Sequence, residues 1–140
     1  MSSSYRIIEH TADTGFEVKG ASLAQLFEHA AAGLFRLLWQ SGAAPAHEEQ
    51  VKVTVSGQDP GELLVNFLEE FLYMFDAKGM IFTRLQVDRI SDHDLTAWAW
   101  GHPFQEGRDE ELLTIKAITY HQLYVGKIAG GWLARVIVDI

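Results

Sequence analysis

The segment IIEHTADTGFEV, residues 7–18, starts apolar, breaks, and turns apolar again. Tyr5, Ile7 and Ile8 are strand formers, and Phe16 and Val18 resume the strand. Between them lie His10, Thr11, Asp13, Thr14 and Gly15, where a two-residue hairpin turn would need only Asn-Gly or Asp-Gly. The longer insert carries groups that can hold a proton, a phosphate or a metal ion. At the other end the chain reads RVIVDI, an apolar strand with Asp139 as its penultimate residue. If a sheet holds that strand, Asp139 and the free carboxylate of Ile140 are fixed next to each other. Asp13 becomes a third hard oxygen donor if the opening and closing strands are neighbours, and such a set suits Ca2+, Mg2+ or Mn2+. A plain Asp-Thr-Gly turn and a frayed C-terminus explain the same letters.

The six histidines are scattered at positions 10, 29, 47, 93, 102 and 121. His29 falls beside an apolar helical stripe, and His47 and His93 fall in expected loops. His10 and His121 are expected in strands rich in other polar groups, which makes them candidates, although a backbone hydrogen bond satisfies most buried imidazoles. With no cysteine in the chain, disulfides and thiolate zinc sites are excluded. No Gly-rich phosphate loop, HExxH, CxxC or G-x-S-x-G motif occurs. GKIAGG, residues 126–131, has the glycines and lysine of a phosphate loop but lies between two expected strands, so it is expected to be a turn.

These groups need a frame to hold them. The 140 residues include 48% apolar and 11% aromatic residues, enough for the core of one domain spanning 1–140. The formal net charge of -8 opposes direct binding to a phosphate backbone, so RNA or DNA binding as the main activity is disfavoured. It is compatible with an acidic metal site or a basic protein partner. No signal-peptide pattern and no apolar run of membrane length is present, so a cytoplasmic location is expected.

Ser22 and Gln25 mark a capping box, and the apolar stripe from Leu23 to Leu38 predicts a helix to about Trp39. SGAAPAHEEQ reads as a loop, and Val51, Val53 and Val55 alternate as a half-buried strand ending at Ser56-Gly57. Asp59 as cap, Pro60 at the first helical position and Gly79 as a left-handed stop bracket a second helix, its buried face running from Leu63 to Phe75. MIFTRLQVDRI and DLTAWAWG read as consecutive strands, HPFQEGRDEE as a polar loop, LLTIKAITYHQLYV as one long strand, and WLARVIVDI as the last strand. The pattern predicts an α+β domain, with a mostly antiparallel sheet, single or curved into two, under two amphipathic helices.

Four stretches, IEHTADTGFEV, ELLVNFLEEFLYMFD, IKAITYH and GGWLARVIVDI, together resemble the archease family, in order and over essentially the whole chain. The resemblance implies an accessory protein rather than a free-standing enzyme. Proteins of that family act with the RtcB-type RNA ligase, which uses GTP and Mn2+ to join RNA ends in tRNA splicing and RNA repair. They promote its guanylylation and so allow multiple turnover. The resemblance also implies a divalent-metal site formed by Asp13, Asp139 and Ile140, a functional lysine at Lys116, and support from His10, Thr11 and His121. On this account the hairpin is interrupted so that Asp13 leaves the strand plane and meets Asp139.

Two other functions compete. A stand-alone metal-dependent hydrolase or phosphodiesterase would use Asp13, Asp139 and His121, but it lacks the dense ligand set of two-metal catalysts. A structural domain would use the ion only to pin the C-terminus.

Overall fold

The computed structural model describes residues 5–9, 13–42 and 47–140. Among the described residues, ten strands and two helices form an α+β arrangement. β1 (Tyr5–Glu9) and β2 (Asp13–Gly20) precede α1 (Leu23–Leu38), β3 (Trp39–Ser41) and β4 (Glu49–Ser56). α2 (Pro60–Lys78) is followed by β5 (Met80–Ile90), β6 (Asp94–Pro103), β7 (Asp109–Glu111), β8 (Ala117–Ile118), β9 (Tyr124–Ile128) and β10 (Gly131–Asp139).

Among the described residues all ladders are antiparallel, and they form three sheets rather than one or two. The largest has the order β1-β2-β10, and the far edge of β10 is shared by β8 and β9. A second sheet has the order β4-β6-β5, and β3 pairs with β7 as a short ribbon. Both helices contact strands of the two larger sheets. Phe71 of α2 meets Phe35 of α1 edge-on at 5.1 Å and Phe82 of β5 at 5.3 Å between ring centroids. Such fully buried side chains each contribute about 1.5–3 kcal/mol of transfer free energy.

The helix signals act as expected. Ser22 Oγ accepts from Gln25 N–H, although the Gln25 side chain returns to the N–H of Ala21 rather than to that of the cap itself. Asp59 Oδ1 accepts from Glu62 N–H, and Gly79 closes α2 at φ 66°. α1 stops at Leu38, with Trp39 as its cap and the first residue of β3.

Four segments differ from expectation. Residues 112–125 are not one strand: only Ala117–Ile118 and, from Tyr124 on, β9 (Tyr124–Ile128) pair with β10, and a turn with Gln122 at φ 52° separates them. Glu69 of α2 accepts the Ile118 N–H at 2.8 Å, so a helix side chain satisfies a donor that β8 turns away from β10. HPFQEGRDEE is not a plain polar loop, because it starts inside β6 and ends in β7. GKIAGG keeps its first three residues in β9, and the turn is only Ala129-Gly130, with Gly130 at φ 81°. SGAAPAHEEQ contributes Ser41 to β3 and Glu49-Gln50 to β4.

Candidate functional site

β2 and β10 run antiparallel along their full lengths, and the register makes Asp13 the direct partner of Asp139. Directly opposed residues place their Cβ atoms about 5 Å apart on the same face of the sheet. Along β2 the alternation sends Thr14, Phe16 and Val18 into the core, so Asp13, Gly15 and Glu17 share the opposite face. Asp13 therefore does not leave the strand plane. It is the first residue of β2, and the ladder itself brings it to Asp139. Asp13-Thr14-Gly15 is strand, not turn, and Thr14 donates its hydroxyl to the Ile8 carbonyl at 3.1 Å.

Close contact of the two strands depends on Gly15. A Cβ there would lie 2.2 Å from the Val136 carbonyl oxygen, so any side chain would push β10 away beneath the Asp13–Asp139 pair. The C-terminus is not frayed either. Asp139 pairs with Asp13 on one side and with Ala117 on the other, and its carbonyl accepts the Lys116 N–H at 2.8 Å.

Lys116 is thus anchored by its backbone beside Asp139, with its side chain exposed. It precedes β8 rather than lying inside a strand, and Ile115 and Ile118 are both buried, so a strict alternation of faces does not hold there. Among the described residues Lys116 forms no ion pair, which leaves its ammonium free to act elsewhere. His121 is exposed in the turn after β8 rather than in a strand, and its N–H donates to Thr119 Oγ1 at 3.2 Å. His10 and Thr11 lie outside the described residues. Ile140 follows the ladder and is 40% exposed.

Asp13 Oδ1 is buried and has no hydrogen-bond partner among the described residues. An orphaned carboxylate oxygen facing a second carboxylate is unfavourable unless a cation satisfies both. The donor set fits a hard divalent ion in chemistry, because two carboxylates are paired across the ladder and the next residue after Asp139 is Ile140. Among the described residues, no group of three or more His, Cys, Asp or Glu side chains converges, so the site is a carboxylate pair rather than a full cage. Two strand positions further on, Glu17 accepts from Arg6 and Arg135, both at 2.8 Å, and the Arg6 hydrogen bond leads in holding its carboxyl below the usual range. The row thus passes from paired charge at Glu17 to unpaired carboxylate at Asp13.

With this geometry in place, the chain can be set beside known proteins. Residues 5–140 match the archease protein family (MTH1598/TM1083). The chain belongs to the archease family. It is 34% identical to the archease of Methanosarcina mazei over 140 residues, covering 97% of this chain and 95% of that one. The archease of Pyrococcus abyssi is 35% identical over 136 residues, covering 94% and 95%. The solution structure of Methanobacterium thermoautotrophicum protein 1598 superposes with a TM-score of 0.74 at 30% identity, covering 97% and 98%. The crystal structure of an archease from Thermotoga maritima, described as a possible chaperone, shares the fold with a TM-score of 0.64 at 21% identity, covering 95% and 94%.

One polar cluster escaped the sequence. His102 and Asp109 are buried, with His102 Nε2 3.2 Å from Asp109 Oδ2. Asp109 also accepts from Ser41 Oγ at 2.7 Å and from the Gln105 N–H at 2.9 Å. Burial pushes the Asp109 carboxyl up, but the Ser41, Gln105 and His102 interactions outweigh it and hold the carboxyl below its ordinary range. The cluster ties β7 to β3 and β6. No sequence motif announces it.

Proposed function

We propose that this archease activates an RtcB-type RNA ligase by promoting its GTP-dependent guanylylation, in support of tRNA splicing or RNA repair, without catalysing a reaction itself. Membership of the family supports an accessory role. The observation that carries the site is the cross-strand pairing of Asp13 with Asp139, with one Asp13 oxygen buried and unpartnered.

Asp13 and Asp139 would hold a divalent ion (Ca2+, Mg2+ or Mn2+), with the carboxylate of Ile140 as a further donor and His10 and Thr11 as support from the adjoining insert. The ion would neutralise the clustered negative charge and draw the chain ends into one contact surface. Lys116 stands beside that surface and offers a mobile ammonium to an anionic group of the ligase. His121, in its exposed turn, is a contact residue rather than a ligand. RNA is reached only through the ligase, as the net charge of -8 favours.

The test is single-turnover guanylylation of the ligase with GTP and Mn2+, with and without this protein. A faster rate with the protein is expected. No change in rate or turnover number would refute the activator role, and phosphodiester cleavage by the isolated protein would replace it with the hydrolase.

A further inference from the structure

The outer edge of β4 is an open strand edge, and its hydrogen-bonding phase can be read from one bond. Ser56 is paired with Asp94, and the Gly57 N–H donates to the His93 carbonyl at 2.9 Å. That bond, one residue beyond the pair on each strand, makes Ser56–Asp94 a non-hydrogen-bonded pair of the antiparallel ladder. Alternation then gives Val51, Val53 and Val55 to β6 and turns the N–H and C=O groups of Gln50, Lys52, Thr54 and Ser56 outward. An independent contact agrees: Asn66 Nδ2 of α2 donates to the Ser56 carbonyl at 2.8 Å from the outer side. Among the described residues no backbone group bonds the outward groups of Gln50, Lys52 or Thr54.

Proteins blunt such edges with bulges, prolines or very short strands. β5, the other edge of the same sheet, has register shifts at Phe82/Arg84 and Val87/Arg89. β4 has none over its eight paired residues, and it contains no proline. Beside it runs a trough of about 390 Å3 lined by Val51, Val53, Glu70, Tyr73, Met74 and Lys78. Tyr73 is 58% exposed there, a large apolar surface with nothing described upon it.

We propose that β4 accepts an extended segment of a partner protein as a fourth strand of this sheet, and that the segment reads apolar–acidic–apolar. Main-chain bonds to Gln50, Lys52 and Thr54 would supply affinity, and alternate side chains would supply selectivity. The residue opposite Lys52 shares its face, where the ammonium stands 5.8 Å from the Trp98 ring centroid without a carboxylate among the described residues. An acid there completes the charge pair. The residues on either side of that acid face the trough, beside Val51, Val53 and Tyr73, and are apolar.

A second copy of this chain is a poorer occupant. In twofold registers centred on Val51, Lys52 or Val53, the residue facing Lys52 is Gln50, another Lys52 or Thr54, and none is acidic; in the register centred on Gln50 it is Glu48, whose neighbours His47 and Glu49 are not apolar. The inference stands apart from the ligase reading and survives its failure.

The experiment uses the full chain and two synthetic peptides of alternating valine and threonine, one with a central glutamate and one with a central lysine. Amide hydrogen exchange should be fast at Gln50, Lys52 and Thr54 in the free protein and slow with the glutamate peptide. That peptide should bind at least tenfold tighter than the lysine peptide, and Lys52→Glu, an exposed change, should reverse the order. Thr54→Pro removes one outward N–H without touching the β6 ladder and should weaken binding at least tenfold. Unchanged exchange at the three amides with both peptides, or equal affinity for the two, overturns the proposal. Protection that grows with protein concentration in the absence of peptide assigns the edge to a second copy instead, and also overturns it.

Discussion

Asp13 and Asp139, from opposite ends of the chain, stand directly across from each other where β2 and β10 meet. Like charges in that position destabilise a sheet by roughly 0.2–1 kcal/mol when nothing lies between them. A bound divalent ion reverses the sign, which gives the pair a thermodynamic signature.

If the pair holds a divalent ion as proposed, Asp139→Asn should raise the melting temperature slightly in chelator and remove the further rise expected for the wild type in Ca2+ or Mn2+. At an ion concentration 100-fold above its dissociation constant, that rise corresponds to about 2.7 kcal/mol. Asp13→Ala should behave alike. Calorimetric titration and thermal melts on the same samples check both, and unchanged ion affinity in the two variants would remove the pair from the site.

Lys116 should separate ion binding from activation. Its backbone N–H, not its side chain, ties the segment to the Asp139 carbonyl, so truncation leaves that bond in place. Lys116→Ala and Lys116→Arg should both stay folded and bind the ion, yet lose most activation, because a planar guanidinium does not replace a compact ammonium. Full activation by the arginine variant would reduce Lys116 to a generic positive charge.

Gly15→Ala should destabilise the protein by at least the roughly 1–3 kcal/mol typical of overpacking, since the new methyl meets the Val136 carbonyl. Ion affinity should fall with it as β2 and β10 separate. A urea titration showing wild-type stability would mean that the strands lie further apart than described.

Asp109→Ala strands His102 and leaves Ser41 without its acceptor, a loss of about 1–3 kcal/mol for each buried polar group left unpaired. The pH sign follows from a folded-state carboxyl held below its ordinary range. The Asp109 contribution is present above the unfolded value of about 3.9 and disappears as pH falls through the lower folded value. Acid titration of stability should thus be flatter for Asp109→Asn than for the wild type.

Local signals carried much of this architecture. Asp59, Pro60 and Gly79 bracket α2 because caps act through immediate neighbours, and β5 begins and ends where MIFTRLQVDRI does. The Asp13–Asp139 pair was legible only as a condition, since its geometry depends on β2 and β10 choosing each other. Asp13 reads as an insert residue because His10 and Thr11 look like a turn, while Gly15, which looks like part of that turn, is a strand position where β10 leaves no room for a Cβ. The segment around Lys116 reads as a long strand because its apolar residues are dense. Glu69, on a helix far away in sequence, takes the donor of Ile118, and no local pattern reports that. His102 and Asp109 were hidden for the same reason, their cluster being completed by Ser41.

The most direct measurement is single-turnover guanylylation of an RtcB-type ligase at saturating GTP and Mn2+, comparing wild type with Asp13→Ala at equal folded concentration. Using a variant rather than a chelator leaves the ligase its own metal. The account predicts that the wild type accelerates guanylylation and that Asp13→Ala leaves it at the rate of the ligase alone. Equal acceleration by both proteins would contradict it.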